Sequence, residues 1–227
     1  MRLGRRAVVF GSSGTLGSAC VDELERVGVT VTCVSHQVVA ARSEGTSPPW
    51  LSELGTNSID QVVWVQGKNA AGGIASADIV DVEDLFEANV LFIIRTLRDM
   101  LDAGVLKRPS RLVIVSSIWD SVARQEKLAY VVSKSAVAGL VRSLAADLGS
   151  LGVAVNAVAP GVIDTPMTRA NLSTDQIAGF IGATPQKALC TPEDVARVVR
   201  WLSSDDSAGV NSETVRVDGG WSEVRYV

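Results

Sequence analysis

Arg6-Ala7-Val8-Val9-Phe10 runs directly into Gly11-Ser12-Ser13-Gly14-Thr15-Leu16-Gly17, and a helical apolar period follows from Thr15 to Val27. A short apolar, β-branched run is what a strand covered on both faces requires, because successive side chains point to opposite sides. The glycines after it meet a different need. They let the backbone turn tightly at the carboxyl end of the strand and start a helix whose first N–H groups and positive dipole end face the turn. An anionic ligand is stabilised there, and strand, G-x-x-G-x-x-G turn and helix in this order form the setting in which a dinucleotide diphosphate binds. Gly11, Ser12, Ser13, Gly14, Thr15, Leu16 and Gly17 are the first candidate cofactor residues, with Gly17 allowing close packing of helix on strand.

Beyond this turn, short Val/Ile runs alternate with longer segments of helical period. Strands are predicted near Arg6–Phe10, Thr30–Ser35, Gln61–Gln66, Arg111–Ser116, Ala154–Val158 and Thr214–Val217. Helices are predicted over Thr15–Val27, Val82–Ala103, Ala129–Leu148 and Pro192–Leu202. The last opens Thr191-Pro192-Glu193-Asp194, an N-cap, a proline in the first turn and two acids at the positive dipole end. Repeating strand–helix units imply an α/β fold: a Rossmann-type, doubly wound parallel sheet with helices on both faces, in a single domain spanning 1–227. Two stretches break the rhythm. Gln37 to Asn57, with Pro48 and Pro49, holds at most a short helix around Trp50–Leu54, and Asp164 to Lys187 is a candidate substrate lid.

Composition narrows the function classes. A chain of 227 residues that is 47% hydrophobic and 20% charged can build a large core. Its net charge of -4, without a basic cluster, disfavours nucleic acid. No apolar run reaches the ~20 residues of a membrane span, so a cytoplasmic protein is expected. Cys20, Cys33 and Cys190 lack CxxC spacing and read as reduced core thiols, with no metal site.

The chemistry concentrates in one region. Tyr130 and Lys134 stand four apart, on one face of a predicted helix about a turn from each other. An ammonium at that spacing is expected to lower the phenol's pKa by favouring the phenolate, bringing a poor acid–base group toward working pH. Ser117, at the carboxyl end of the strand ending at Ser116, is placed to hydrogen-bond a substrate oxygen. Ser116 itself reads as structural.

Tyr130-Val131-Val132-Ser133-Lys134, Ser117 thirteen positions before the tyrosine, and the glycine turn together resemble the short-chain dehydrogenase/reductase family, and the resemblance runs over nearly the whole chain. It implies a nicotinamide-dependent oxidoreductase with Ser117, Tyr130 and Lys134 as catalytic residues, the last two also touching cofactor. It further implies Asn89, in Leu85-Phe86-Glu87-Ala88-Asn89-Val90, as a fourth residue that kinks its helix and holds a water in a proton relay toward the lysine. An asparagine inside a helix is otherwise mildly unfavourable. In Ala159-Pro160-Gly161-Val162-Ile163-Asp164-Thr165, the resemblance places Pro160 and Gly161 beside the nicotinamide, the Val162 backbone on its carboxamide and Thr165 on the cofactor. Family members are usually homodimers or homotetramers through the Val82–Ala103 and Ala129–Leu148 helices.

Three departures qualify the match. Gln66-Gly67-Lys68-Asn69-Ala70-Ala71-Gly72 replaces the usual Asn-Asn-Ala-Gly; Gly67 still gives room near the adenosine ribose, Gln66 stands beside it, and Lys68 reads as a solvated loop charge, with a phosphate ligand as the alternative. The glycine spacing differs from the commonest form, and His36 to Ile59 is too short for the usual third strand, so an irregular adenine pocket is expected. Ser35-His36-Gln37, followed by Arg42, carries no acid to accept from a ribose 2′-OH, so NADP(H) is expected over NAD(H); His36 is equally an exposed loop residue. The expected function is an NADP(H)-dependent ketoreductase or alcohol dehydrogenase acting on a small carbonyl or hydroxyl compound, hydrophobic in view of Met167, Leu172, Ile177, Phe180 and Ile181. The alternatives are a catalytically silent dinucleotide-binding sensor or scaffold, and an isomerase or epimerase with a tightly held cofactor.

Overall fold

The computed structural model describes residues 4–35 and 48–224. His36 and Arg42 lie outside them. Among the described residues six strands form one parallel sheet: β1 (Arg6–Phe10), β2 (Thr30–Val34), β3 (Ile59–Trp64), β4 (Leu106–Val115), β5 (Val153–Pro160) and β6 (Thr214–Val217). Their order is β2-β1-β3-β4-β5-β6. The chain steps from β1 to one side for β2 and returns to the other for β3, so the order reverses between β1 and β3. Ligands of open parallel sheets bind outside the strand ends at such a reversal.

Alternation along the strands feeds two cores. Val8, Phe10, Val62, Trp64, Leu112, Ile114 and Val155 face one side, where they pack with Ile93, Leu97 and Met100 of α3 (Phe92–Asp102) and Val137, Val141 and Leu148 of α4 (Leu128–Leu148). Ala7, Val9, Val63, Val113 and Val158 face the other, against Cys20 and Leu24 of α1 (Thr15–Glu25) and Val195, Val199 and Leu202 of α7 (Pro192–Leu202). β5 is buried along its whole length, which the sandwiching of a parallel sheet by helices demands. α4 is long and apolar enough by composition to cross a membrane, but its sheet-facing side chains belong to the first core.

The predicted elements recur with shifted ends. β4 starts five residues earlier than predicted, and α7 opens with the full capping box of Thr191 and Asp194. The predicted Val82–Ala103 helix starts earlier and is not uniform: α2 (Ile79–Phe86) passes through a π turn at Glu87–Leu91 into α3. Around Trp50 the chain forms a single 3-10 turn, Pro49–Leu51, rather than a helix to Leu54. Trp50 sets its ring edge on Phe10, which stacks on Trp64 at 5.7 Å and meets Phe92 edge-on. The 164–187 segment holds two short helices, α5 (Pro166–Asn171) and α6 (Thr174–Ala183), in which no residue is fully buried. Cys20 and Cys190 are buried, but Cys33 is exposed on β2, contrary to the core reading; β2 is the last strand on its side of the described sheet.

Candidate active site

The glycine turn sits at the strand-order reversal. Gly11 has φ +81°, and a Cβ there would lie 2.5 Å from the Gln66 backbone nitrogen; one on Gly17 would lie 2.0 Å from the Gly11 carbonyl oxygen. Both positions require glycine, the first for conformation and contact, the second because α1 starts against the turn. No side chain caps α1 and no acid stands in its first turn, so its amides and dipole meet no competing carboxylate. Ser12 is half-buried, while Ser13, Gly14 and Thr15 are exposed. This is a cradle that fits a dinucleotide diphosphate.

Gln66 follows β3 and shares the turn. Its backbone packs on Gly11, while its side-chain amide nitrogen and oxygen are buried and bond no described residue. An amide in that state loses solvation without compensation unless a ligand supplies the partner. The next residue faces the other way. A Cβ on Gly67 would lie 3.1 Å from Asn89 Oδ1 and 3.6 Å from Lys134 Nζ. Gln66 and Gly67 therefore bridge the phosphate cradle to the lysine.

Lys134, on α4, is buried, and its ammonium donates to the Val115 carbonyl oxygen at 3.1 Å. Burial lowers its pKa to about 8, opposed by the Asp120 carboxylate. Its Nζ lies 5.8 Å from the centre of the Tyr130 ring, one turn earlier on the same helix. The Tyr130 hydroxyl bonds Ser117, which begins the 3-10 turn Ile118–Asp120 after β4 and also accepts from the Trp119 N–H. Ser117, Tyr130 and Lys134 thus converge at the end of β4.

One electrostatic expectation is corrected. The phenol's pKa is raised, chiefly by burial and further by Asp120, and the Ser117 hydrogen bond only partly offsets this. Desolvation of the phenolate outweighs a neighbouring ammonium that is itself desolvated.

Asn89 occupies the middle of the π turn. It accepts from the Lys68 N–H at 2.8 Å and donates to the Lys68 carbonyl at 3.1 Å and to Ser133 Oγ at 2.9 Å. It thereby ties the 67–69 loop to α4. Lys68 Nζ pairs with Asp84 at the surface. Ser116 donates to Asp120.

The remaining sequence candidates distribute around this centre. Ser35 is exposed just past β2, whose Val34 carbonyl accepts from the Gly11 N–H. Pro160 ends β5, Gly161 is held against Asp218 with no room for a Cβ, and Val162 lines a cleft shared with Phe180, Thr184, Cys190, Asp218 and Trp221. Thr165 caps α5 by accepting from the Thr168 N–H. Sequence reading missed Ser133, Asp120, Trp119 and Trp221. Only Ser133 had a signal, its place inside the Tyr–Lys motif; the others come together through folding alone.

Comparison with known proteins agrees with this architecture. The family model described as enoyl-(acyl carrier protein) reductase matches residues 52–222. The chain is 34% identical to the 3-oxoacyl-[acyl-carrier-protein] reductase FabG of Vibrio cholerae over 243 residues, covering 96% of this chain and 97% of that protein. The match to FabG of Escherichia coli is 35% over 137 residues and spans 56% of that protein. Among solved structures, the aldohexose dehydrogenase of Thermoplasma acidophilum superposes with a TM-score of 0.86 at 23% identity, over 99% of this chain and 96% of that one. A putative gluconate dehydrogenase from Agrobacterium tumefaciens gives 0.83 at 25% identity, over 98% of each. With a relative of this identity aligned from end to end, the chain belongs to the short-chain dehydrogenase/reductase family.

Proposed function

We propose that the protein is an NADP(H)-dependent oxidoreductase interconverting a ketone and an alcohol on a small substrate with an apolar body. One observation carries the reading: Gln66 and Gly67 connect the phosphate cradle directly to Lys134 and, through it, to Tyr130 and Ser117. The relatives named as 3-oxoacyl reductases support carbonyl chemistry, and the absence of an acid at Ser35 supports the phosphorylated cofactor.

The nicotinamide, when bound, supplies or accepts the hydride. Gly11 to Gly17 hold the diphosphate, and the buried Gln66 amide gains its missing partner from the bound nucleotide. Pro160, Gly161, Val162 and Thr165 border the nicotinamide end. Ser117 holds the substrate oxygen, and Tyr130 gives it the proton. A raised phenol pKa suits that direction, because the proton stays on the donor at neutral pH. Lys134, with Asn89 behind Gly67, forms the route by which the phenol regains its proton from solvent.

Ile94, Leu101 and Val132 leave apolar surface exposed on α3 and α4, which supports assembly of the cytoplasmic enzyme as a homodimer or homotetramer. The test is loss of reduced-cofactor absorbance with a ketone panel under NADPH and under NADH. Turnover is expected with NADPH at several times the rate with NADH; a large preference for NADH overturns the cofactor assignment, and no turnover with either overturns the enzyme.

A further inference from the structure

Beside the converging Ser117, Tyr130 and Lys134 stands a group of side chains that the proposed chemistry does not use. Trp119 is tied to Ser117 by its own N–H. Its ring meets Trp221 at 5.5 Å, nearly perpendicular, and Trp221 meets Phe180 of α6 at 6.0 Å. Trp221 and Phe180 also line the cleft under Val162. Three rings drawn from three separate segments thus make one continuous apolar surface, running from the serine to the 164–187 segment.

A charge closes the far end of that surface. The Arg124 guanidinium lies 5.7 Å from the centre of the Phe180 ring and, among the described residues, forms no ion pair with a carboxylate. Its neighbour Lys127 is similar: among the described residues its Nζ bonds the neutral oxygens of Asn69 and Ala70, and its pKa is lowered first by burial and then by Arg124. The intervening Glu126 carboxylate accepts from the Gly73 N–H and the Ser76 hydroxyl and, among the described residues, forms no ion pair with either cation. Two cations that repel each other, in a protein of net charge -4, form an arrangement that an incoming anion relieves. Held against a ring face, the planar guanidinium is also set to pair with a carboxylate.

We propose that Trp119, Trp221 and Phe180 form the wall against which a flat apolar substrate lies, and that Arg124 pairs with an anionic group at that substrate's far end. The preferred substrates are then ketones joined to an aromatic or similarly planar body that carries a carboxylate. This rests on the oxidoreductase reading and sharpens its substrate class.

The probes are 4-acetylbenzoate and its methyl ester, which share ring and ketone and differ in charge. The protein is titrated calorimetrically with NADP+, then with each probe, and turnover of each is followed with NADPH. The acid is expected to bind the NADP+-loaded protein about two- to fivefold more tightly than the ester, the range of a partly exposed charge pair, with kcat/KM following. Arg124→Gln is expected to erase that preference, and Phe180→Ala to weaken both probes; circular dichroism checks that each variant is folded. Equal affinity for acid and ester while NADP+ binds normally overturns this inference alone, as does an Arg124→Gln variant that keeps the preference. Failure of NADP+ to bind overturns the underlying cofactor reading and this inference with it.

Discussion

Lys134 is the residue at which stability and chemistry oppose each other. Its ammonium is buried with one carbonyl as hydrogen-bond partner, and its pKa falls from 10.5 to about 8. The folded state therefore binds the proton less tightly than the unfolded chain. The resulting penalty is constant below about pH 8 and disappears as pH rises to the unfolded value near 10.5. Replacing Lys134 by Met is expected to raise stability by about 1–3 kcal/mol at pH 7, in line with other buried charges, and to lose that gain at pH 10.5 while abolishing turnover. Urea denaturation at the two pH values checks this; a variant less stable than the parent at pH 7 contradicts it. The spacing of Tyr130 and Lys134 was legible as one helical turn. The sign of the phenol shift was not, because spacing carries no information about how deeply α4 buries both groups.

At the scale of elements, the π turn at Glu87–Leu91 and the glycine turn at Gly11–Gly17 do most of the positioning. Asn89 makes three hydrogen bonds across that turn, two to Lys68 and one to Ser133. Asn89→Ala is expected to cost about 1–3 kcal/mol, the range for losing the hydrogen bonds of a buried polar side chain, and to lower kcat more than it raises KM, since it loosens the loop beside Lys134. Thermal unfolding together with steady-state kinetics measures both. Gly17→Ala is a harsher change: its Cβ would sit 2.0 Å from the Gly11 oxygen, so the turn must open. We expect about 1–3 kcal/mol of destabilisation from the overpacking and loss of NADP+ binding in calorimetry; unchanged affinity would show that the turn holds no diphosphate. The glycine loop was readable because a strand, the four small residues Gly11, Ser12, Ser13 and Gly14, and a helix start leave few alternatives. The π turn was not legible in the apolar period, which its extra residue leaves unchanged; only the family resemblance pointed to a break in the helix at Asn89.

For the molecule as a whole, apolar periodicity revealed the sheet and most of its strands, because a parallel sheet buried on both faces writes itself as continuous apolar, β-branched runs such as Leu112–Val115. Strand order and the aromatic clusters were hidden, since they depend on which distant segments meet: Trp50 comes to Phe10 from beyond β2, and Trp221 comes to Trp119 from the far end of the chain. That same convergence joins the phosphate cradle to the proton donor through Gln66 and Gly67. The most direct test compares the parent protein and Tyr130→Phe for NADPH binding and for NADPH consumption with a ketone that the parent reduces. Intact binding with turnover reduced at least about a thousandfold is the expected result; a phenylalanine variant that consumes NADPH at the parental rate would contradict the assignment of the phenol as proton donor.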